Sequence, residues 1–142
     1  MKANLIKALA GGIAGTAVMT MVMFMAPMMG LPKMSAPAML AGMMGVPLAI
    51  GWIMHFMIGA MFAVIYALLL MKKLSEIKSS LAQGVVFGMI VFVFAQLVMS
   101  MMGKCVLCMP DGRMGMLMGS IMGHVLYGIV VALIVNRKIS NA

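Results

Sequence analysis

Met114–Val135 reads MGMLMGSIMGHVLYGIVVALIV, an apolar run without Asp, Glu, Lys or Arg and with His124 near its middle. A bilayer core about 30 Å thick is crossed by about 20 such residues in a helix. Lipid offers backbone N–H and C=O groups no water, so a run of this kind must satisfy them internally, as a helix does. Working outward from it, three more stretches of the same character appear, roughly Leu5–Ala26, Pro47–Met71 and Leu81–Met102. Period-two alternation over many segments is missing, which excludes a β-barrel. The reading is an all-α polytopic membrane protein, a four-helix bundle forming one integral membrane domain over residues 1–142.

The composition agrees. Of 142 residues, 65% are hydrophobic and 8% charged, with a mean hydropathy of +1.21; a soluble domain is about a quarter charged. Disorder needs the opposite balance. The formal net charge of +8 does not point to nucleic acid, because the cations flank the apolar runs as topology signals do. Lys2, Lys7, Lys72, Lys73, Lys78, Arg137 and Lys138 fall on one side, against Lys33, Lys104 and Arg113 on the other. The positive-inside rule then places both termini in the cytoplasm. Lys2 and Lys7 before an apolar stretch also resemble the start of a signal peptide. The run is longer than a signal core and its small-residue exit leads into Pro27, so it reads as a retained span. In the first outer loop Ser35, followed by Pro37, Met39 and Leu40, predicts a short helix that closes before Gly45. Pro110-Asp111-Gly112 predicts a turn in the second.

The two halves resemble each other. Gly11, Gly15 and Met28-Met29-Gly30 recur 73 positions later as Gly84, Gly88 and Met101-Met102-Gly103, and His55, Gly59 and Ala63 recur 69 positions later as His124, Gly128 and Ala132. Each repeat (about 5–71 and about 81–135) is a helical hairpin entering the membrane in the same direction, which predicts a pseudo-twofold along the membrane normal. Spacing of four puts each small-residue set on one face, where helix backbones approach closely in lipid. The same helical wheel turns His55 and His124 inward.

Both acids, Glu76 and Asp111, lie outside the spans. A carboxylate relay, a paired-carboxylate hydrolase and an oxygen-rich metal cage are therefore unsupported, and the chain reads as non-enzymatic. His55 and His124 remain as the imidazoles at depth, where ionisable groups are costly and mark candidate sites. Three readings stand open: hydrogen bonds to neighbouring helices through Thr16, Thr20, Gln96 or Ser120; axial ligation of a haem b; or a soft metal such as Cu(I).

Of 24 Met, all but Met1, Met61, Met71 and Met89 fall in the outer half or outer loops. Met21, Met25 and Met29 share a face with Gly11 and Gly15 and are expected to look inward. Met114, Met118 and Met122, with Met57 and Met61, are expected to face lipid or another protein. Thioethers select Cu(I), but Met also serves as an adaptable apolar packer. Cys105 and Cys108 form a CxxC that Met109, in place of His, excludes from haem c attachment. With Met25 and Met29 they make up the candidate outer-side Cu(I) ligands.

Ala26-Pro27-Met28-Met29-Gly30-Leu31-Pro32, His55-Phe56-Met57-Ile58-Gly59 and Gly123-His124-Val125-Leu126-Tyr127-Gly128 together resemble a family of small, uncharacterised bacterial four-helix membrane proteins. The resemblance covers nearly the whole chain and implies four spans and an inner-membrane location; it implies no activity. The expectation is an accessory subunit of a larger membrane complex, respiratory or otherwise redox, in contact with the lipid bilayer and with other membrane subunits or copies of itself. The second expectation is a Cu(I)-handling protein.

Overall fold

A computed structural model of the protein describes residues 2–102 and 114–137. Helix α1 (Lys2–Met25) continues into a 3-10 turn at Ala26–Met29. Helix α2 (Ala36–Met44) is short, α3 (Leu48–Ile65) leads through a π turn at Tyr66–Leu70 into α4 (Met71–Leu74), and α5 (Ser80–Met101) and α6 (Met114–Val135) complete the chain. Four segments are long and apolar enough to cross a bilayer: Leu5–Met29, Leu48–Leu74, Ser80–Met101 and Met114–Val135. They coincide with the runs read from the sequence, and the chain is a multi-pass helical membrane bundle.

The short outer helix also forms as expected. Ser35 is its N-cap, with the side-chain oxygen accepting from the Ala38 N–H, and Gly45 ends it in the left-handed region at φ 65°, a conformation glycine adopts without cost. Helix α2 lies on α3, where Gly51 gives room for the Pro37 carbonyl and for Ala41.

In each hairpin the two long helices meet through glycine. A Cβ at Gly12 of α1 would fall 2.7 Å from Ala60 Cα and 2.9 Å from the Gly59 carbonyl oxygen of α3; at Gly84 of α5 it would fall 2.5 Å from Ile129 Cα and 2.9 Å from the Gly128 carbonyl oxygen of α6. The two contacts correspond, with an offset on the first helix of 72 positions rather than 73. Gly12 matches Gly84 and Thr16 matches Gly88, while the second helices keep the offset of 69. Adjacent glycines at 11 and 12 concealed the difference. One residue is about 100° of helix rotation, enough to change partners: Gly12 faces α3, whereas Gly11 and Gly15 face Val131, Ile134 and Tyr127 of α6.

The corrected register explains the shape. Helices α3, α1, α6 and α5 follow one another around the bundle, and α3 and α5 flank a gap. A perfect pseudo-twofold would pack α5 on α3 as closely as α1 on α6. The positions that let α1 close, Gly11 and Gly15, are Gln83 and Phe87 on α5. Phe87 fills that space against Tyr66 (ring centroids 4.7 Å apart) and Tyr127 (6.0 Å). Large side chains thus bridge α3 and α5 where glycine joins α1 and α6, and Phe62 meets Phe94 edge to face across the same gap.

Candidate functional site

The gap holds a cavity of about 380 Å³ lined by α1, α2, α3, α5 and α6. Both sequence-selected histidines line it, with Thr16, Met19, Met23, Gln96, Ser120 and Tyr127. Met61, Phe94 and Val98 belong to the lining and are also exposed, so the mouth opens between α3 and α5 toward the bilayer.

Each imidazole is held to the protein through one of its ring nitrogens. The Thr20 hydroxyl donates to the Thr16 carbonyl at 2.7 Å and lies 3.0 Å from His55 Nε2. Its only hydrogen is thereby used, so Nε2–H of His55 donates to Thr20 and the lone pair resides on Nδ1. His124 Nδ1 lies 2.7 Å from the Ser120 carbonyl oxygen, an acceptor, so this nitrogen carries the proton and the lone pair resides on Nε2. The two histidines thus adopt opposite tautomers, each with one lone-pair nitrogen left over. The corrected repeat accounts for the asymmetry: the position of Thr20 is Phe92 on α5, which meets His124 edge to face at 5.9 Å.

Two further polar atoms at the cavity have no partner. Thr16 Oγ1 and Gln96 Oε1 are buried and unsatisfied among the described residues, although Gln96 Nε2 reaches Ser120 Oγ at 3.5 Å. Leaving a buried polar group unpaired costs about 1–3 kcal/mol, and such groups are exceptional enough to need an explanation. With the two imidazole lone pairs and the Gln96 carbonyl, the site offers three unpaired acceptors in an apolar surround, beside the Thr16 hydroxyl, which can donate as well as accept.

The methionine expectation is revised. Met25 and Met29 are 47% and 69% exposed and lie on the outside of the bundle, with Met21; Met19 and Met23, 8% and 6% exposed, face the cavity. The face of Gly11 and Gly15 continues at spacing of four through Met19 and Met23, which pack on Gly123 of α6, and Met21 and Met25 lie two residues off it. Met34, Met43 and Met99 also line the cavity. Met57, Met114 and Met118 are exposed as expected. Cys105, Cys108 and the Pro110-Asp111-Gly112 turn lie outside the described residues. Among the described residues no group of three His, Cys, Asp or Glu side chains gathers as a metal site. A haem held through both Nε2 atoms would require the His55–Thr20 bond to break.

A second polar cluster was not singled out in the sequence. The Tyr66 hydroxyl, Gln83 and Asn136 bond one another, with Asn136 Nδ2 at 2.6 Å from Gln83 Oε1, and Gln83 Nε2 donates to the Ile77 carbonyl at 2.6 Å. It ties α3, α5 and the end of α6 together beside the π turn. Two lone amides at the ends of apolar spans were the available signal.

No curated protein and no solved structure matches the chain. The model of a family of unknown function (DUF6789) matches residues 2–141, and the chain belongs to that family.

Proposed function

We propose that the protein is a non-enzymatic membrane component that binds an apolar small molecule bearing hydroxyl or N–H donors, of hydroquinone type, in the His55/His124 cavity. One observation carries this reading: each histidine spends its N–H on its own protein and keeps a lone-pair nitrogen, beside the unpartnered Gln96 carbonyl. Three unpaired acceptors are complemented by a ligand that donates, and the Thr16 hydroxyl can serve a ligand oxygen as well. The volume of about 380 Å³ falls in the range of small-molecule sites, which are mostly apolar with a few placed polar groups. The mouth toward lipid suits a ligand that partitions into the bilayer.

In this proposal the chain is an accessory subunit of a larger membrane complex, respiratory or otherwise redox, in a bacterial cytoplasmic membrane with both termini inside. The gathering of Lys7, Lys72, Lys73, Lys78 and Arg137 at one end supports that orientation. The Met-rich exterior, with Met25, Met29, Met57 and Met118 exposed, is a surface that adapts to a partner subunit or a second copy.

A second reading, Cu(I) binding, draws on Met19, Met23, Met34, Met43 and Met99 around the same two imidazoles. Thioether and imidazole together are soft ligands. It moves the copper site from the outer-side Met25, Met29, Cys105 and Cys108 to the cavity.

Purification from native membranes in a mild detergent, followed by solvent extraction, metal analysis and an optical spectrum on one sample, tests these readings. About one quinone or quinol per chain, together with co-purifying subunits, is the expected result. Stoichiometric copper without organic ligand favours the second reading, and a Soret band restores the haem. A partner-free monomer carrying none of these contradicts the proposal.

A further inference from the structure

At the opposite end of the bundle from α2, a polar cleft of about 390 Å³ is lined by Lys7 of α1, Lys78 and Ser80 at the start of α5, and Asn136 and Arg137 after α6. Three cations from three separate segments thus converge on one opening. Among the described residues none of them forms an ion pair, and Glu76, the acid of the adjoining loop, does not line the cleft. Lys7 is half-buried, and its ammonium donates to the Arg137 carbonyl. That bond ties α1 to the segment after α6 and fixes the charge at the rim, with two of its three N–H donors left over.

Helix α5 begins at the same place. Ser79 caps it by accepting from the Ala82 N–H, which leaves the N–H groups of Ser80 and Leu81 beyond the reach of any helix carbonyl. The helix dipole adds partial positive charge there. The Gln83–Asn136–Tyr66 cluster forms a neutral, internally bonded floor. Uncompensated cations, free N–H donors and an open cleft at the edge of an apolar bundle are the complement of an anionic oxygen cluster lying at headgroup depth.

We propose that this cleft binds a phosphate ester group, held by Lys7, Lys78 and Arg137 at the N-terminus of α5. The phosphodiester of an anionic phospholipid and a soluble phosphate present the same chemistry, and the two are separated by experiment. The cleft is independent of the histidine cavity, so failure of either assignment leaves the other standing.

Native mass spectrometry of the full chain released from detergent micelles tests it, with phosphatidylglycerol, phosphatidylcholine and inorganic phosphate as probes. The paired variant Lys78→Gln/Arg137→Gln leaves the bond from Lys7 to the backbone carbonyl of residue 137 in place, and Lys72→Gln/Lys73→Gln removes the same charge from exposed side chains outside the cleft. Phosphatidylglycerol is expected to be retained over phosphatidylcholine. Its affinity falls about tenfold or more in the first variant and stays within about twofold in the second. Displacement by millimolar inorganic phosphate identifies a soluble phosphate as a competent occupant; retention despite it identifies the lipid. Equal binding of the two lipids, or equal loss in both variants, overturns the proposal. Should the double variant unfold by circular dichroism, Lys78→Gln alone, whose side chain makes no hydrogen bond among the described residues, carries the same comparison with a smaller loss.

Discussion

The Tyr127 hydroxyl of α6 donates to the Gly59 carbonyl of α3, reaching across α1 above Gly15, where a Cβ would lie 2.9 Å from the tyrosine ring. Gly59 is one helical turn after His55, and Tyr127 is one turn after His124. This bond therefore sets the spacing of the two histidine faces and forms part of the cavity wall. Tyr127→Phe keeps the ring and removes the donor. Equilibrium unfolding in mixed micelles is expected to show a loss of about 0.5–1.5 kcal/mol, within the range of helix–helix hydrogen bonds in membranes.

The close approach of α5 and α6 rests on backbone against backbone. A Cβ at Gly128 would collide with the Gly84 carbonyl oxygen and lie 2.5 Å from the Gly88 nitrogen, atoms that cannot turn aside. Gly128→Ala is expected to destabilise by about 1–3 kcal/mol. Gly42, inside α2, has nothing within 4 Å of its would-be Cβ; Gly42→Ala is expected to be neutral or to stabilise by up to about 1 kcal/mol. Equal costs in thermal unfolding would contradict the packing described.

Opposite histidine tautomers have a direct readout. Nitrogen-15 NMR of histidine-labelled protein in micelles is expected to show Nε2–H at His55 and Nδ1–H at His124. Thr20→Val removes the acceptor of the first bond and is expected to shift the His55 signals while leaving His124 unchanged. Two histidines in the same tautomer would remove the basis for the acceptor-rich site.

Much of the fold was legible because lipid leaves apolar text few options. Span limits followed from length, and Ser35 and Gly45 marked the short outer helix through capping chemistry. The inward turn of His55 and His124 followed from helical spacing with Gly59 and Gly128. The register of the first repeat helix was ambiguous, since Gly11 and Gly12 both match a glycine in the second half and only contact with Ala60 or Val131 distinguishes them. The cavity could not be read from a periodic pattern, because it arises where the repeat fails, at Gly15 against Phe87. Met23 rather than Met25 continues the spacing of four from Gly11 and Gly15 along the face packed on α6, a mark the sequence did carry.

That face decides which methionines matter at the cavity. Met25→Leu and Met29→Leu, at exposed positions, are expected to leave ligand or metal binding within about twofold of the native protein. Met19→Leu and Met23→Leu change the cavity wall itself. If Cu(I) binds there, competition with a chelator is expected to show a weaker site in these variants, since a soft donor is replaced by hydrocarbon. The reverse pattern would return the site to the outer surface.

Reduced and oxidised forms of one short-chain quinone differ in the property that matters at this cavity: the hydroquinone donates hydrogen bonds and the quinone only accepts them. Isothermal titration of the detergent-solubilised protein with each form, under matched conditions, is the most direct measurement. The hydroquinone is expected to bind about tenfold tighter or more, the equivalent of about one well-formed hydrogen bond, with that preference lost in His55→Leu/His124→Leu. Equal affinity for the two forms, tighter binding of the quinone, or no binding of either would contradict the assignment of His55 and His124 as acceptors for a donor-bearing ligand.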